Sequence, residues 1–197
     1  MIKHRLIGIS GHKRSGKSTV AGILQAEYGF TLGSFAAPIK AAARVMFDWI
    51  EEHTDGALKE VIDPRWGISP RQAMQHIGTE WGQIELCAAY PLFRQVTGRC
   101  LWVNRLLDSA VDSSMVIPDV RFSHEADAIH SRGGMVIMVK RPGYDGDGHA
   151  SETEIDGLSF DHLIVNDGTV ADLQSAISLL FGNASGYAIE SYFQPAY

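Results

Sequence analysis

The chain has 197 residues, 45% of them hydrophobic and 20% charged, a balance that excludes collagen-like, disulfide-scaffold and disordered classes and fits one domain carrying small insertions. Twenty-three acidic against seventeen basic residues give a net charge of -6, which argues against tight, non-specific binding to long nucleic acid, where a basic surface must displace phosphate counterions. Eleven of the seventeen cations are Arg, whose planar fork grips phosphate at two points, so small anions remain candidate ligands. Cys87 and Cys100 have neither C-x-x-C spacing nor a companion histidine cluster and read as reduced thiols. No run approaches the roughly 18 apolar residues of a membrane span, and Met1 to Arg5 lead into a strand-like run rather than a signal-peptide core. A cytoplasmic protein is expected.

Arg5 to Ser10 form a short apolar run that stops at a glycine-rich turn, and a helix is expected from about Gly16 to Glu27. A short strand within Phe30 to Phe35 comes next. Ile39, Ala43, Met46 and Ile50 then recur on one face of a helix that should end near His53. After an irregular stretch from Thr54 to Gly67, Ser69-Pro70-Arg71-Gln72 reads as a capping box with proline at the first helical position. Met74, Ile77, Trp81 and Ile84 supply the apolar face of that helix, and Gly78 is a point where it should bend or split. Trp102 to Val111 read as another helix leading into the buried strand Met115-Val116-Ile117, which stops at Pro118-Asp119. Ser123 should cap a short helix that Gly133-Gly134 end. Met135 to Lys140 read as a strand buried on both faces, Pro142 to Gly148 as a loop, and His162 to Val165 as the last strand. Thr169 should cap a final helix through Leu180. This alternation indicates a parallel α/β sandwich with its ligands at the carboxyl ends of the strands.

Gly11-His12-Lys13-Arg14-Ser15-Gly16-Lys17-Ser18 fits G-x-x-x-x-G-K-[ST] between a strand and a helix, the context of a phosphate-binding loop. Its glycines let backbone N–H groups face phosphate oxygens, Lys17 reaches the β and γ phosphates, and the Ser18 hydroxyl can ligate Mg²⁺. His12 reads as loop filler. Asp119, ending an apolar strand, takes the place of a Walker B carboxylate, the plain alternative being a capping or loop Asp. Arg121 shares that edge, unless it pairs with Glu125 or Asp127. Arg141, before Pro142 and a glycine-rich loop, suits a lid that closes over ATP, unless it is an ordinary exposed Arg.

Ser34-Phe35-Ala36-Ala37-Pro38-Ile39-Lys40 resembles the SFA-x-PLK segment that follows the P-loop in bacteriophage deoxynucleoside monophosphate (dNMP) kinases. Four further segments resemble that family in the same order: Arg71 to Trp81 its R-x-x-x-Q-x-x-GTE helix, Asp119-Val120-Arg121-Phe122 with Glu125 its DVRF-x-x-E. His149-Ala150-Ser151-Glu152 is similar to the H-x-SE of its mobile lid, and Asn166 to Thr169 to its last-strand NDGT. The likeness runs from about Ile7 to Leu180. Gln83 departs from it, standing where the family is expected to carry Arg.

The resemblance implies a three-layer α/β/α P-loop NTPase fold with a parallel sheet, an NMP-binding helical insertion and a mobile lid. The insertion should occupy about 36–110 and the lid about 141–156, leaving 182–197 as an unassigned tail of one kinase domain. It implies transfer of the ATP γ-phosphate to a dNMP, with Mg²⁺ as cofactor. Lys13, Arg14, Ser15, Gly16, Lys17, Ser18 and Thr19 would hold the donor phosphates. Ser18 and Asp119 would hold the metal. Phe35, Lys40, Arg71, Thr79, Glu80, Trp81 and Glu152 would form the acceptor side. Lys17, Asp119, Arg121 and Arg141 would act at the transferred group. Trp81 has a plain alternative as core, and Arg71 as the partner of a carboxylate such as Asp63. Partners should be ATP and dNMP, with no long nucleic acid and no membrane, a homodimer being one open arrangement; a phage origin would place the protein in the host cytoplasm. A P-loop kinase of another metabolite, such as dephospho-coenzyme A, is the nearest alternative, and an NTP-driven motor or GTP switch a more distant one. Asn166 to Thr169 do not fit the N-K-x-D of a GTP switch.

Overall fold

The computed structural model describes residues 6–98, 100–108, 113–144 and 155–182. In chain order its elements are β1 (Leu6–Ser10), α1 (Lys17–Tyr28), β2 (Thr31–Leu32), α2 (Ala37–Phe47), α3 (Glu51–Thr54) and a 3₁₀ turn (Ala57–Glu60). There follow α4 (Pro70–Gln75), which continues as a π-helix (His76–Glu85), then α5 (Leu86–Ala89), α6 (Pro91–Thr97) and α7 (Leu101–Asp108). The chain ends in β3 (Met115–Ile117), α8 (Ser123–Ser131), β4 (Met135–Lys140), a second 3₁₀ turn (Ile155–Gly157), β5 (His162–Val165) and α9 (Val170–Gly182). These elements form two compact units, one from the described residues up to Ser34 and from Leu107 onward, the other from Phe35–Leu106.

The first unit is a five-stranded sheet in the order β2-β3-β1-β4-β5, parallel at every pairing. Side chains alternate across it with the period of two that a strand imposes. Ile7, Ile9, Met135, Ile137 and Val139 join one core with Val20 and Leu24 of α1 and Leu173 and Ile177 of α9. Gly8 faces the other way, where a Cβ would meet Ile129 of α8 at 2.7 Å. Helices therefore cover both faces, which is why β1 and β4 are apolar without polar alternation. β1 is central, flanked by β3 and β4, so the segments leaving these three strands share the middle of the carboxyl edge.

Helix ends follow local chemistry. Gly29 closes α1 in the left-handed region at φ 72°, its N–H donating to the Leu24 carbonyl. Thr169 and Asp172 cap α9 reciprocally: the Thr169 N–H donates to Asp172 Oδ2 at 2.7 Å and the Asp172 N–H to Thr169 Oγ1 at 3.3 Å. At α8 the expected cap is displaced by one residue. Phe122 occupies the N-cap position, and Glu125 reaches back to accept the N–H groups of Arg121 and Phe122 at 2.7 and 3.1 Å.

The second unit is helical and departs further from expectation. The Ser69 capping box forms as read, with Ser69 Oγ accepting the Gln72 N–H and Gln72 Oε1 accepting the Ser69 N–H. The continuous helix expected up to His53 instead stops at Phe47, because Asp48 turns left-handed at φ 52°. That turn exposes Met46 and Ile50 and buries Trp49 in their place. Beyond Gln75 the helix widens to the π form, so Trp81 and Ile84 swing off the seam of Met74 and Ile77 and are exposed at 42% and 50%. Close packing accompanies the change: a Cβ at Gly82 would lie 2.7 Å from the Trp102 indole nitrogen, which donates to the Gly78 carbonyl at 2.9 Å.

The irregular stretch before Ser69 is tied down from within its own unit. Trp49 Nε1 donates to Asp63 Oδ2 at 2.7 Å, and the Arg65 guanidinium grips both oxygens of the same carboxylate at 2.8 to 3.2 Å. Trp66 Nε1 donates to the Phe47 carbonyl at 3.1 Å, and Phe47 stacks on Trp49. The Arg65 hydrogen bonds, then that of Trp49, hold the Asp63 carboxyl far below the ordinary carboxylate range. Among the described residues no helix is long and apolar enough to cross a membrane.

Candidate active site

The loop between β1 and α1 is shaped by its two fixed glycines. Gly11 has φ 141° and sits where a Cβ would lie 2.2 Å from the Val139 carbonyl oxygen. Gly16 has φ 108°, and a Cβ there would lie 2.4 Å from Asn166 Nδ2. Arg14 between them also adopts a positive φ, 66°. The alternation curls the chain so that successive backbone N–H groups can converge on one anion, at the start of the 12-residue helix α1.

The curl is braced from the far side of the sheet. Asn166, buried just beyond β5, donates through Nδ2 to the Ser15 carbonyl at 2.8 Å, and its own N–H donates to the Lys140 carbonyl at 2.7 Å. The C=O and N–H of a trans peptide point in opposite directions. Pinning the Ser15 carbonyl toward Asn166 therefore turns the Gly16 N–H away from it. His12, read from sequence as filler, is a second brace: it is buried, and its Nε2 lies 3.2 Å from Asp156 Oδ1.

A cavity of about 350 Å³ opens over this loop, lined by Arg14, Gly16, Lys17, Ser18, Thr19 and Arg141. Three cations and two hydroxyls on one small surface suit a polyphosphate chain. Lys17 Nζ donates to the carbonyls of Gly11 and His12 at 2.6 and 2.7 Å, which holds the ammonium over the loop. Arg141 leaves the end of β4 and stacks over the Tyr144 ring at 5.0 Å. Lys13 is exposed and Ser15 buried, and neither lines the cavity.

Asp119 follows β3 on the other flank of β1 and accepts the Ser34 hydroxyl through Oδ2 at 2.7 Å. A hydroxyl at Ser18 and a carboxylate at Asp119 are hard oxygen donors of the kind Mg²⁺ takes while keeping several waters. Among the described residues no cluster of three or more His, Cys, Asp or Glu side chains could hold a metal. Arg121 is exposed and is not among the residues lining the cavity. Its backbone N–H is held by Glu125, which is 7% exposed and whose carboxyl is pushed up to about 7 by burial, against the pull of the N–H groups of Arg121 and Phe122.

In the second unit, Lys40 of α2 forms an ion pair with Asp55, and Arg71 of α4 with Glu60. The Arg71 partner is thus Glu60 and not Asp63, which Arg65 and Trp49 already hold. Lys59, which sequence reasoning did not single out, is half-buried beside these pairs, its pKa lowered by burial and by Arg71 and Lys40. Thr79, Glu80 and Trp81 are exposed on the π-helix, with His76 4.0 Å from Glu80 and the Trp81 ring 6.4 Å from that of Trp102. Phe35 is 4% exposed, so its ring is packed rather than offered as an open stacking surface. Glu152 lies outside the described residues.

Comparison with known proteins identifies the family of the chain. A sequence profile described as deoxynucleotide monophosphate kinase matches residues 5–66 and 52–177. A putative deoxynucleotide monophosphate kinase of Acanthamoeba polyphaga mimivirus is 37% identical over 188 residues, 91% of this chain and 97% of the relative. The deoxynucleotide monophosphate kinase of Enterobacteria phage T4 is 30% identical over 123 residues, 59% of this chain and 46% of the phage protein. Among solved structures, shikimate kinase from Aquifex aeolicus superposes with a TM-score of 0.52 over 92% of this chain and 99% of its own, at 16% identity. That likeness speaks for the P-loop kinase fold alone.

Proposed function

This chain belongs to the deoxynucleotide monophosphate kinase family, and we propose that it transfers the γ-phosphate of ATP to a deoxynucleoside 5'-monophosphate, giving ADP and the diphosphate. The observation that carries the reading is the cavity in which Lys17, Arg14 and Arg141 face a P-loop helix start with the Ser18 and Thr19 hydroxyls.

Phosphoryl transfer asks a protein chiefly for positioning and charge neutralisation. The acceptor is already an anionic phosphate, so no general base is needed. In this reading the backbone N–H groups of residues 13 to 19 cradle the β-phosphate, while Lys17 leaves its loop carbonyls to follow the γ-phosphate. Arg141 carries positive charge to the transferred group from the β4 side, and its place before Pro142 and Gly143 suits a segment that closes and excludes water. Ser18 and Asp119 would hold Mg²⁺, which when bound would supply charge neutralisation at the donor phosphates. Lys40 and Arg71 take the acceptor phosphate, and Thr79, Glu80 and Trp81 take sugar and base. Arg121 adds charge at the transfer point. Host cytoplasm is the proposed place of action, both of these relatives being viral.

The test is ADP production with ATP alone and with each dNMP, each ribonucleotide and dephospho-coenzyme A. Turnover that depends on a dNMP is expected. Acceptor-independent hydrolysis, selective binding of GTP with slow turnover, or a response to dephospho-coenzyme A alone would overturn it.

A further inference from the structure

Two ion pairs and a third cation, Lys59, belong to α2, α3 with its C-cap, the first 3₁₀ turn and α4, elements that pack against one another. Lys40 is bound to Asp55 and Arg71 to Glu60, while Lys59, half-buried and next to Glu60 in the 3₁₀ turn, has its pKa lowered by burial and by the charges of Arg71 and Lys40. Three cations against two carboxylates leave this set of five groups with a net positive charge. Gathering three like charges is unfavourable unless an anion completes the set.

The two carboxylates are not equivalent. Asp55 is anchored: it also accepts the Thr54 hydroxyl at 2.9 Å, and its side chain is 38% exposed. Glu60 has 62% of its side chain exposed, on the last residue of a one-turn 3₁₀ element, and its pair with Arg71 is a surface pair of the kind that contributes little to stability. Arg71 itself sits in the first turn of α4, whose start is fixed by the Ser69 capping box, so the cation is better placed than the anion it holds.

We propose that Glu60 is a displaceable internal anion that competes with the acceptor's 5'-phosphate for Arg71, and that Lys59 is a third cation of that phosphate site. This rests on the reading of Lys40 and Arg71 as acceptor-side residues. Without substrate, Glu60 offsets the repulsion among Lys40, Lys59 and Arg71 and keeps the guanidinium in place. A phosphate dianion reaches the guanidinium by exchanging with it, and gains Lys59 as well. The fork of Arg71 can bind two phosphate oxygens, where a dianion outbids a single carboxylate charge. Asp55 stays on Lys40 and fixes its stem.

The experiment is steady-state kinetics and equilibrium dNMP binding on the full chain and on Glu60→Gln, Lys59→Met, Lys59→Arg and Arg71→Ala, each checked for an unchanged melting profile. Glu60→Gln should lower the KM and Kd for the dNMP about two- to fivefold, the range a surface ion pair supports, with the KM for ATP unaltered. Lys59→Met should raise the dNMP KM about tenfold, and Lys59→Arg should recover most of it. A Glu60→Gln enzyme that binds dNMP no better, or worse, overturns the exchange, and a silent Lys59→Met removes the third cation. If Arg71→Ala leaves dNMP affinity intact, it is the acceptor-site reading that fails. An impaired Arg71→Ala with silent Glu60 and Lys59 variants keeps that reading and rejects only this inference. Should Glu60→Gln unfold, Glu60→Ala carries the same expectation.

Discussion

The candidate phosphate sites of the sheet-bearing unit and of the helical unit are framed in different ways. In the first, the loop beneath the candidate site takes its shape from its backbone. Gly11 and Gly16 have φ values of 141° and 108° that other residues rarely adopt, and a buried Asn166 fixes the peptide between Ser15 and Gly16. In the second, the candidate site is made of long side chains, Lys40 paired with Asp55, Arg71 paired with Glu60, and Lys59 beside them. A backbone cradle is set by the fold and changes little when a surface side chain is altered. A side-chain site can be tuned one residue at a time, which would suit the acceptor side proposed for it.

Lys17→Ala should show the largest effect, because it removes the one side-chain charge that the loop holds over its own carbonyls. A fall in kcat of about a hundredfold or more is expected with dNMP affinity and fold retained, since the lost interaction acts on charge that develops during transfer. Near-normal turnover in a folded variant would remove Lys17 from the chemistry.

Arg71→Ala sharpens the contrast from the acceptor side. Loss of a two-point, charge-assisted contact should raise the dNMP KM about ten- to a hundredfold while the ATP KM stays within about twofold. Arg71→Lys should rescue only part, because an ammonium lacks the fork. A variant that loses ATP affinity instead would dissolve the division of labour between the units.

Asn166→Asp tests whether the backbone cradle depends on its brace. The substitution keeps the shape, removes the Nδ2 donor and sets a carboxylate oxygen against the Ser15 carbonyl. The ATP KM should rise about tenfold, with dNMP affinity unchanged in a binding assay without ATP. An equal loss for both substrates, or a lower melting temperature with normal affinity, would make Asn166 a general structural residue.

What could be read from the sequence was what local rules govern. The P-loop lies between β1 and α1, the Ser69 box starts α4, and Asp119 and Arg141 leave the strands on either side of β1. Contacts made across long stretches of chain had no such signal. Asn166 meets Ser15 across 151 positions and Ser34 meets Asp119 across 85, and nothing in either neighbourhood announces the other. The π-helix escaped for a related reason. Met74, Ile77, Trp81 and Ile84 have ordinary helical spacing, and only the packing of Gly78 and Gly82 against Ile39 and Trp102 accompanies the change of period. Asp63 was a reasonable partner for Arg71 by distance in sequence. Arg65 and Trp49 hold that carboxylate instead, and Arg71 pairs with Glu60.

The smallest expected effect separates the units by their response to pH. Asp63 is depressed by Arg65 and Trp49, so its contribution is present above the ordinary aspartate pKa and is lost as pH falls below about 4. Glu125 has the opposite sign: its folded pKa, about 7, is above the ordinary glutamate value of 4.5, so between the two the folded state holds a proton that the unfolded chain has released. Its burden on stability is absent below pH 4.5, grows as pH rises through that window, and is complete above about 7. Glu125→Gln keeps an oxygen able to accept the Arg121 and Phe122 N–H groups but carries no charge to bury. In chelator-containing buffer, the melting temperature of the variant should therefore gain on the parent between pH 5 and pH 8, whereas Asp63→Asn should lose most at pH 7 and converge with the parent in acid. A Glu125→Gln protein whose deficit is the same at both pH values would show that its ionised carboxylate is fully compensated by the two N–H groups and by Arg121, and would leave the start of α8 indifferent to protonation.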